Sequence, residues 1–266
     1  MENRTGKVSK KIMVTIALIL LGYCMYQLTS TYLGYKQAED EYRQVEKQFV
    51  TENEMEQHTE LGMDTDTNQQ PTEKPIDFAG LKEINPDIIG WIKINAIDIS
   101  YPVMQSQDNE YYLHHTFEGD KHFAGSIYAD FRNKADFSDA NTIIYGHNMK
   151  NGSMFGKLKK FRSQKSYDRE PYLFLYTPDK IYQYEIFSCR EVELNSSAYQ
   201  LQFESEKEFA AYIKGANSKS LIKTEGGIND ISDNIITLST CTSNDEARLI
   251  VQGICVAVYY CQSDDS

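Results

Sequence analysis

The chain has 266 residues, enough for one large domain or two small ones, and its 41% apolar and 25% charged residues are typical of a folded protein. The formal net charge of -12 argues against a nucleic-acid partner, because phosphate backbones are bound by basic surfaces. The five cysteines form no CxxC pair and no two histidines have metal-ligand spacing beside a carboxylate, so no metal or other cofactor is expected.

The N-terminal segment has the pattern of a signal anchor. Residues 1–11 are short and basic, and no charged residue occurs in 12–35. A helix over 12–35 would extend roughly 36 Å, enough to cross a hydrocarbon core of about 30 Å. A cleaved signal peptide is the competing interpretation, but the apolar stretch is long for one and no small-x-small site follows it. We expect a single transmembrane helix in the cell membrane, with the N-terminus inside and the remainder extracellular.

Residues 36–75 are expected to form an extracellular stalk and linker. The first part, 36–60, is rich in Glu, Gln and Lys and places Tyr42, Val45 and Phe49 at helical spacing, which predicts a solvated helix continuing from the membrane. Polar and turn residues dominate 61–74, as in a linker. The globular domain is therefore expected to span 76–262.

From residue 76 onward, short apolar runs alternate with turn signals, which predicts a β-barrel or a β-sandwich. A short helix is expected over 78–84, and a second over 205–214, capped by Ser205 and ended by Gly215. A helical turn over 108–115 would place Asn109 and Leu113 on one face. The predicted strands cover 88–94, 97–103, 125–129, 141–145, 172–176, 181–190, 235–240 and 249–260.

The strand over 235–240 ends beside Cys241, at the start of a polar loop. Alternate side chains of a strand share a face, so Thr237, Ser239 and Cys241 should point the same way. A thiol at such a strand end is held by the strand and reached through the loop, which suits a nucleophile. The competing interpretation is a small buried hydrophobe, a common role for cysteine.

Two further residues complete the chemistry that a thiol nucleophile needs. His147 follows a predicted strand as Cys241 does, and Arg248 opens the strand that returns beside Cys241. Imidazole can give a proton to a leaving amine, and a guanidinium can bind an oxyanion with two donors. At ordinary pKa values roughly 3% of a thiol is ionised at pH 7, and a nearby Arg248 should increase that share.

The remaining cysteines and histidines have simpler interpretations. Cys24 and Cys255 lie in apolar runs and are expected to be structural, and a Cys255–Cys261 or Cys189–Cys261 disulfide stays open from sequence. The three histidines at 114, 115 and 122 lie in a polar stretch and are expected to be exposed.

Three motifs together resemble the sortases, membrane-anchored cysteine transpeptidases of Gram-positive bacteria. Thr-Leu-Ser-Thr-Cys at 237–241 resembles the cysteine signature of that family, Tyr-Gly-His-Asn at 145–148 its histidine motif, and Arg248 its arginine. The opening at 78–86, the stretch at 146–155 and the helix-bearing insertion at 191–234 resemble class B. The resemblance implies an eight-stranded sortase β-barrel with an N-terminal helical addition and a helix in the long loop before the Cys241 strand.

The resemblance also implies a reaction and its partners. Cys241 would cleave the sorting-signal peptide of a secreted surface protein after Thr, with His147 and Arg248 assisting, and pass it to an amine. That amine would be a peptidoglycan precursor, for cell-wall anchoring, or a pilin lysine in a pilin polymerase. Substrate contacts are implied for Asn109, Leu113, Ser239 and Tyr199. The alternative to an enzyme is a non-catalytic, membrane-tethered binding module in which Cys241 is buried.

Overall fold

The computed structural model describes residues 2–50, 76–224, 234–241 and 246–261, with the backbone alone for residues 2–11 and 241. The chain divides into two compact units, residues 1–44 and residues 45–266. The predicted linker over 61–74 and the loop residues 242–245 lie outside the described residues, as does the end of the predicted stalk helix over 51–60.

The first unit is the N-terminal part of one long helix, α1, which spans Glu2–Phe49. This helix is the single described one that is long and apolar enough to cross a membrane. Its large apolar side chains from Ile12 to Leu33 are exposed on all sides of the helix, as in a helix that is apolar all round.

The second unit begins with the last turn of α1, earlier in the chain than the sequence predicts. Val45 and Phe49 are buried, and Val50 forms an isolated antiparallel bridge with Ile76. The backbone N–H of Asp77 donates to the Phe49 carbonyl at 2.9 Å. Asp77 then caps helix α2, Phe78–Ile84, which has the predicted bounds. The helical spacing of Val45 and Phe49 therefore indicates a face that packs within the barrel unit, whereas the sequence predicts a solvated helix.

Eight strands form a closed barrel, as the sequence resemblance implies. In order around the barrel they are β1 (Ile88–Ile94), β2 (Ile99–Met104), β3 (Ile127–Ala129), β4 (Asn141–Tyr145), β7 (Ile235–Cys241), β8 (Ala247–Tyr260), β6 (Lys180–Glu193) and β5 (Tyr172–Tyr176), which pairs again with β1. The β2–β3 and β4–β7 pairs are parallel and the other pairs are antiparallel. Parallel neighbours need crossover connections, and residues 146–234 supply one between β4 and β7.

The two faces of β7 have different surroundings. Ile236 and Leu238 are fully buried and point into the barrel, whereas Thr237 and Ser239 point to the outer face. The outer face is covered by the insertion between β6 and β7, which carries helix α4 (Glu206–Ser218). The predicted shared face of Thr237 and Ser239 is confirmed, and the Cys241 side chain lies outside the described atoms.

Helix α4 spans Glu206–Ser218, so the expectation that Gly215 ends it is wrong. The cap is as predicted, because Ser205 Oγ accepts from the Glu208 N–H at 3.2 Å. The helix continues because Ala216 extends its apolar stripe, and packing outweighs the roughly 1 kcal/mol cost of one glycine. That stripe packs on the outer face of the barrel through a cluster of Phe187, Phe209, Ile213, Ala216, Ile235 and Ile254.

The other elements lie close to their predicted positions. Two further 3₁₀ segments, Phe155–Arg162 and Ser197–Tyr199, and a short helix, α3 (Gln164–Arg169), fill the connections. Residues 95–97 form a 3₁₀ turn, so β2 starts at Ile99, and 108–115 forms successive turns in place of one helical turn. Among the described cysteines, Cys24, Cys189, Cys255 and Cys261 form no disulfide, so neither of the two disulfides left open is present.

Replacing Phe49 with Ala is expected to lower the free energy of unfolding of the barrel unit by about 3 kcal/mol. The Phe49 ring lies so close to Gly80 that a Cβ there would be 2.6 Å from its Cε1 atom. Urea denaturation followed by near-UV circular dichroism measures the change. Phe123→Ala is the matched control, because that ring is 47% exposed; equal losses in the two variants would show that 45–50 is not part of the folded unit.

Candidate active site

The backbone brings the three predicted catalytic positions to one end of the barrel. Cys241 pairs with Arg248 in the antiparallel β7–β8 ladder. Tyr145 pairs with Ser239 in the parallel β4–β7 ladder, and the Gly146 N–H donates to the Ser239 carbonyl at 3.2 Å. Two residues further along each strand direction lie His147 and Cys241. All three positions therefore lie at the same strand ends.

His147 is oriented by a backbone carbonyl. Its Nε2 lies 2.7 Å from the carbonyl oxygen of Leu113, which can only accept a hydrogen bond, so Nε2 carries a hydrogen. The other ring nitrogen, Nδ1, is then the one that can exchange a proton with a reactant. No Asp or Asn is obviously placed in the sequence to orient this ring. In the structure the orienting group is a main-chain carbonyl of the segment 108–117.

That segment is itself fixed from two sides. Gly125 lies under it in a left-handed conformation (φ +56°), and a Cβ at Gly125 would be 2.5 Å from the Leu113 carbonyl oxygen. On the other side the Tyr112 hydroxyl donates to Asp87 at 2.8 Å and accepts from Asn85 at 3.0 Å. Burial, then the bond to Asp87, raise the pKa of Tyr112, so it stays a neutral donor.

A groove of about 700 Å³ lies at this end of the barrel and contains all four predicted substrate contacts. Its lining residues include Asn109, Leu113, Tyr128, Arg132, Tyr145, His147, Leu194, Tyr199, Ser239, Thr240 and Arg248. Tyr199 and Ser239 contact each other, with 2.9 Å between their hydroxyl oxygens. Asn109 accepts from the Phe131 N–H at 3.0 Å, so its amide joins two walls of the groove.

A charged group behind the groove holds Tyr145 in place. Asp130 is fully buried and accepts from the Tyr145 hydroxyl at 2.9 Å, and Arg132 binds both of its carboxylate oxygens at 2.8 Å. Burial alone would raise the pKa of Asp130, but the hydrogen bonds from Arg132 and Tyr145 outweigh it and lower the pKa. The Tyr145 ring stacks on Tyr199, with 6.3 Å between centroids, so this ion pair supports the tyrosine wall.

Sequence reasoning did not identify Tyr145, Asp130 or Arg132 as site residues. Tyr145 directly precedes Gly146-His147, a position that could have marked it, but no local pattern connects Asp130 and Arg132 to His147. Of the other histidines, His114 is exposed, while His115 and His122 are half-buried and stack on Tyr111 and Phe123. Within the described residues, no cluster of three His, Cys, Asp or Glu side chains is suited to a metal ion.

The sortase domain model matches residues 92–256. Sortase B of Listeria monocytogenes is 31% identical over 242 residues, covering 90% of this chain and 94% of that protein. The crystal structure of sortase B from B. anthracis in complex with AAEK1 superposes with a TM-score of 0.67 at 30% identity, covering 85% of this chain and 99% of that one. The Staphylococcus aureus sortase B–substrate complex has the same TM-score at 27% identity, covering 84% and 98%.

A closed eight-stranded barrel with a helix-bearing insertion and a groove at its strand ends defines a sortase-type transpeptidase. The chain belongs to the sortase family, and its similarity to sortase B proteins places it in class B. The sequence resemblance to that class and the expected fold are therefore confirmed. The alternative of a non-catalytic binding module is not supported.

Replacing Gly146 with Ala is expected to destabilise the protein next to His147. The added Cβ would lie 2.5 Å from Ile127 Cδ1 and 2.8 Å from two ring atoms of Phe155, so the core must shift. We expect the free energy of unfolding to fall by about 1–3 kcal/mol, measured by urea denaturation. Gly215→Ala is the control: nothing lies within 4 Å, and a helical alanine should be neutral or stabilising. Unchanged stability in Gly146→Ala would contradict the packing described here.

Asp130→Asn is expected to lower the free energy of unfolding at pH 7 by roughly 1–3 kcal/mol, because the pair with Arg132 loses its charge. Since the folded pKa lies below the unfolded value near 3.9, the carboxylate contributes fully above that value and its contribution is lost as pH falls through the folded pKa. Denaturation at several pH values should show that the difference in the free energy of unfolding between the wild type and Asp130→Asn closes below about pH 4. Asp120→Asn, at an exposed carboxylate, should show little difference from the wild type at any pH. A difference for Asp130→Asn that does not narrow at all as the pH falls below about 4 would count against this assignment.

Proposed function

We propose that this enzyme cleaves the C-terminal sorting signal of secreted surface proteins after Thr, through a thioester on Cys241, and transfers them to a peptidoglycan amine. The observation that carries the proposal is the strand register. The proposal is supported by the parallel pairing of β4 with β7 and the antiparallel pairing of β7 with β8, which bring the backbone of Cys241 to the same strand ends as His147 and Arg248, two residues that line the groove.

The first half-reaction forms the thioester. The Cys241 thiolate attacks the Thr carbonyl, a C–S bond forms, and the negative charge that develops on the carbonyl oxygen is stabilised by Arg248. The C–N bond then breaks, and the leaving amine takes a proton from the His147 imidazolium. Because Nε2 is bonded to the Leu113 carbonyl, that proton comes from Nδ1.

The second half-reaction transfers the acyl group. His147, now neutral, takes a proton at Nδ1 from the incoming amine as the amine attacks the thioester. The C–N bond forms, the C–S bond breaks, and Cys241 leaves as the thiolate. The guanidinium of Arg248 stays charged throughout, so it serves both oxyanions without a proton transfer.

The groove provides the contacts for the sorting-signal peptide. Asn109, Leu113, Tyr199 and Ser239 line it together with His147 and Arg248, and amide and hydroxyl groups suit an extended peptide backbone. The similarity of this chain to the S. aureus sortase B–substrate complex supports a substrate-binding role.

We propose that the helix over 12–35 is a single-pass anchor with the N-terminus inside, and that 76–262 form the extracellular catalytic domain. Residues 36–75 would connect the two, with 45–50 packed as part of the barrel unit. The apolar exposure of the α1 side chains supports the anchor. An extracellular catalytic domain is consistent with the acceptor being a cell-wall amine, and a pilin lysine is the alternative acceptor.

Cys241→Ala is expected to abolish formation of an acyl-enzyme with sorting-signal peptides, because no other nucleophile replaces the thiol. Mass spectrometry of the intact protein, incubated with a small peptide library, detects the adduct mass. Cys255→Ala, at a cysteine buried in β8, is the matched control and should acylate like the wild type. Acylation of the Cys241→Ala variant would refute the mechanism.

The same assay distinguishes the two acceptors. Adding a cross-bridge peptide amine to the acyl-enzyme should discharge it to the transpeptidation product, whereas a lysine-bearing pilin should not. Preferential transfer to the pilin would assign the enzyme as a pilin polymerase.

A further inference from the structure

A hydrogen-bonded chain of polar side chains crosses the outer face of the barrel beneath α4. Asn141 on β4 accepts from Thr237 on β7 at 2.8 Å, and Thr237 accepts from Gln252 on β8 at 2.8 Å. Gln252 in turn accepts from Arg190 on β6 at 2.5 Å. All four residues are at least nine-tenths buried. We refer to Asn141, Thr237, Gln252 and Arg190 as the polar seam.

The polar seam is hydrogen-bonded to the wall of the groove that residues 195–200 form. The Asn141 side-chain amide donates to the carbonyl of Ala198 at 3.1 Å and to the carbonyl of Gln200 at 2.8 Å. Tyr212 on α4 donates its hydroxyl hydrogen to the same Ala198 carbonyl at 3.1 Å and accepts from Gln252 at 2.7 Å. Three hydrogen bonds therefore hold the backbone on both sides of Tyr199.

This wall is a thin segment with a cavity on each side. Residues 195–197 line the groove in front and a second, polar cavity of about 540 Å³ behind, which Arg190 and Tyr212 also line. The segment is a short 3₁₀ turn whose N–H groups at 198–200 donate within the turn itself. Its carbonyls at 198 and 200 accept instead from Asn141 and Tyr212, and these bonds tie the turn to β4 and α4.

The position of the wall sets the width of the groove at Ser239. Tyr199, held between the two tethered carbonyls, reaches across to the Ser239 hydroxyl at 2.9 Å. A shift of the wall by 1 Å would break this contact, because hydrogen bonds weaken steeply beyond about 3.2 Å. Apolar side chains at the positions of the polar seam could bury as much surface, but they could not fix the direction of the Ala198 and Gln200 carbonyls.

We propose that Asn141 and Tyr212 are positioning residues for substrate binding, which act through the backbone at 198 and 200 to hold Tyr199 over Ser239. Only the expected effect on substrate binding rests on the proposed function. The hydrogen bonds that hold the backbone at 198 and 200 are a property of the protein without substrate.

Tyr212→Phe tests the proposal, because it removes both hydroxyl hydrogen bonds and keeps the ring that packs on Phe203. We expect hydrogen exchange of the backbone amides at 197–200 to accelerate by about fivefold, the loss of one hydrogen bond of ordinary strength. We expect KM for the sorting-signal peptide to rise about three- to tenfold with kcat changed less than twofold. Alkylation of Cys241 by iodoacetamide should keep its wild-type rate.

Tyr259→Phe is the matched control, since it removes a tyrosine hydroxyl bonded to Gln183 at 3.0 Å on the barrel strands away from the groove. It should change neither the exchange at 197–200 nor KM. In addition, Tyr199→Phe combined with Tyr212→Phe should raise KM no more than the larger single effect, because both act on one contact.

The outcomes separate the two proposals. Exchange at 197–200 that matches the Tyr259→Phe control overturns the positioning role, whether or not the enzyme is active. A wild-type protein that forms no acyl-enzyme overturns the proposed function, and the exchange data still decide the tethering. Additive KM effects in the double variant would also overturn the route through Tyr199.

Discussion

The pairing of β7 with two different neighbours is the constraint on which the site depends. One edge of β7 runs parallel to β4 and the other antiparallel to β8. The end of β7, the start of β8 and the turn that follows β4 therefore meet at one end of the barrel. A slip of one residue in either ladder would turn Ser239 and Thr237 into the barrel and move His147 or Arg248 away from Cys241. The buried Ile236 and Leu238 oppose such a slip, because it would expose them to the polar seam.

The outer face of these strands changes character along its length. Ile235 and Ile254 at one end pack under the apolar stripe of α4, which secures the helix. Thr237 and Gln252, the next pair on this face, form the middle of the polar seam. The third and fourth pairs are Ser239 with Ile250 and Cys241 with Arg248, and Ser239 and Arg248 line the groove. The side chains of the first three pairs are at least nine-tenths buried and Arg248 in the fourth is half-buried, so the same strands supply both a rigid support and one side of the groove.

The surroundings of His147 show how the main chain can take the part of a carboxylate. A carbonyl oxygen accepts the hydrogen on Nε2 and so fixes the orientation of the ring and leaves Nδ1 available to the reactants. Gly125 and Tyr112 in turn hold the segment that carries this carbonyl in place.

The sequence alone determined the approximate positions of the strands and of the helices that begin at 78 and after Ser205, and it singled out an apolar N-terminal stretch and three candidate reactive positions, because each depends on local periodicity or on a short motif. The Thr-Leu-Ser-Thr-Cys run and the Gly-His turn each end a strand, and that could be seen without coordinates. Only the tertiary structure decided that 45–50 packs with the barrel, that α4 continues past Gly215, and that Asp130, Asn141 and Tyr212 support the groove. These features depend on contacts between residues far apart in sequence, such as Asn141 with Thr237, and no local pattern encodes such a contact.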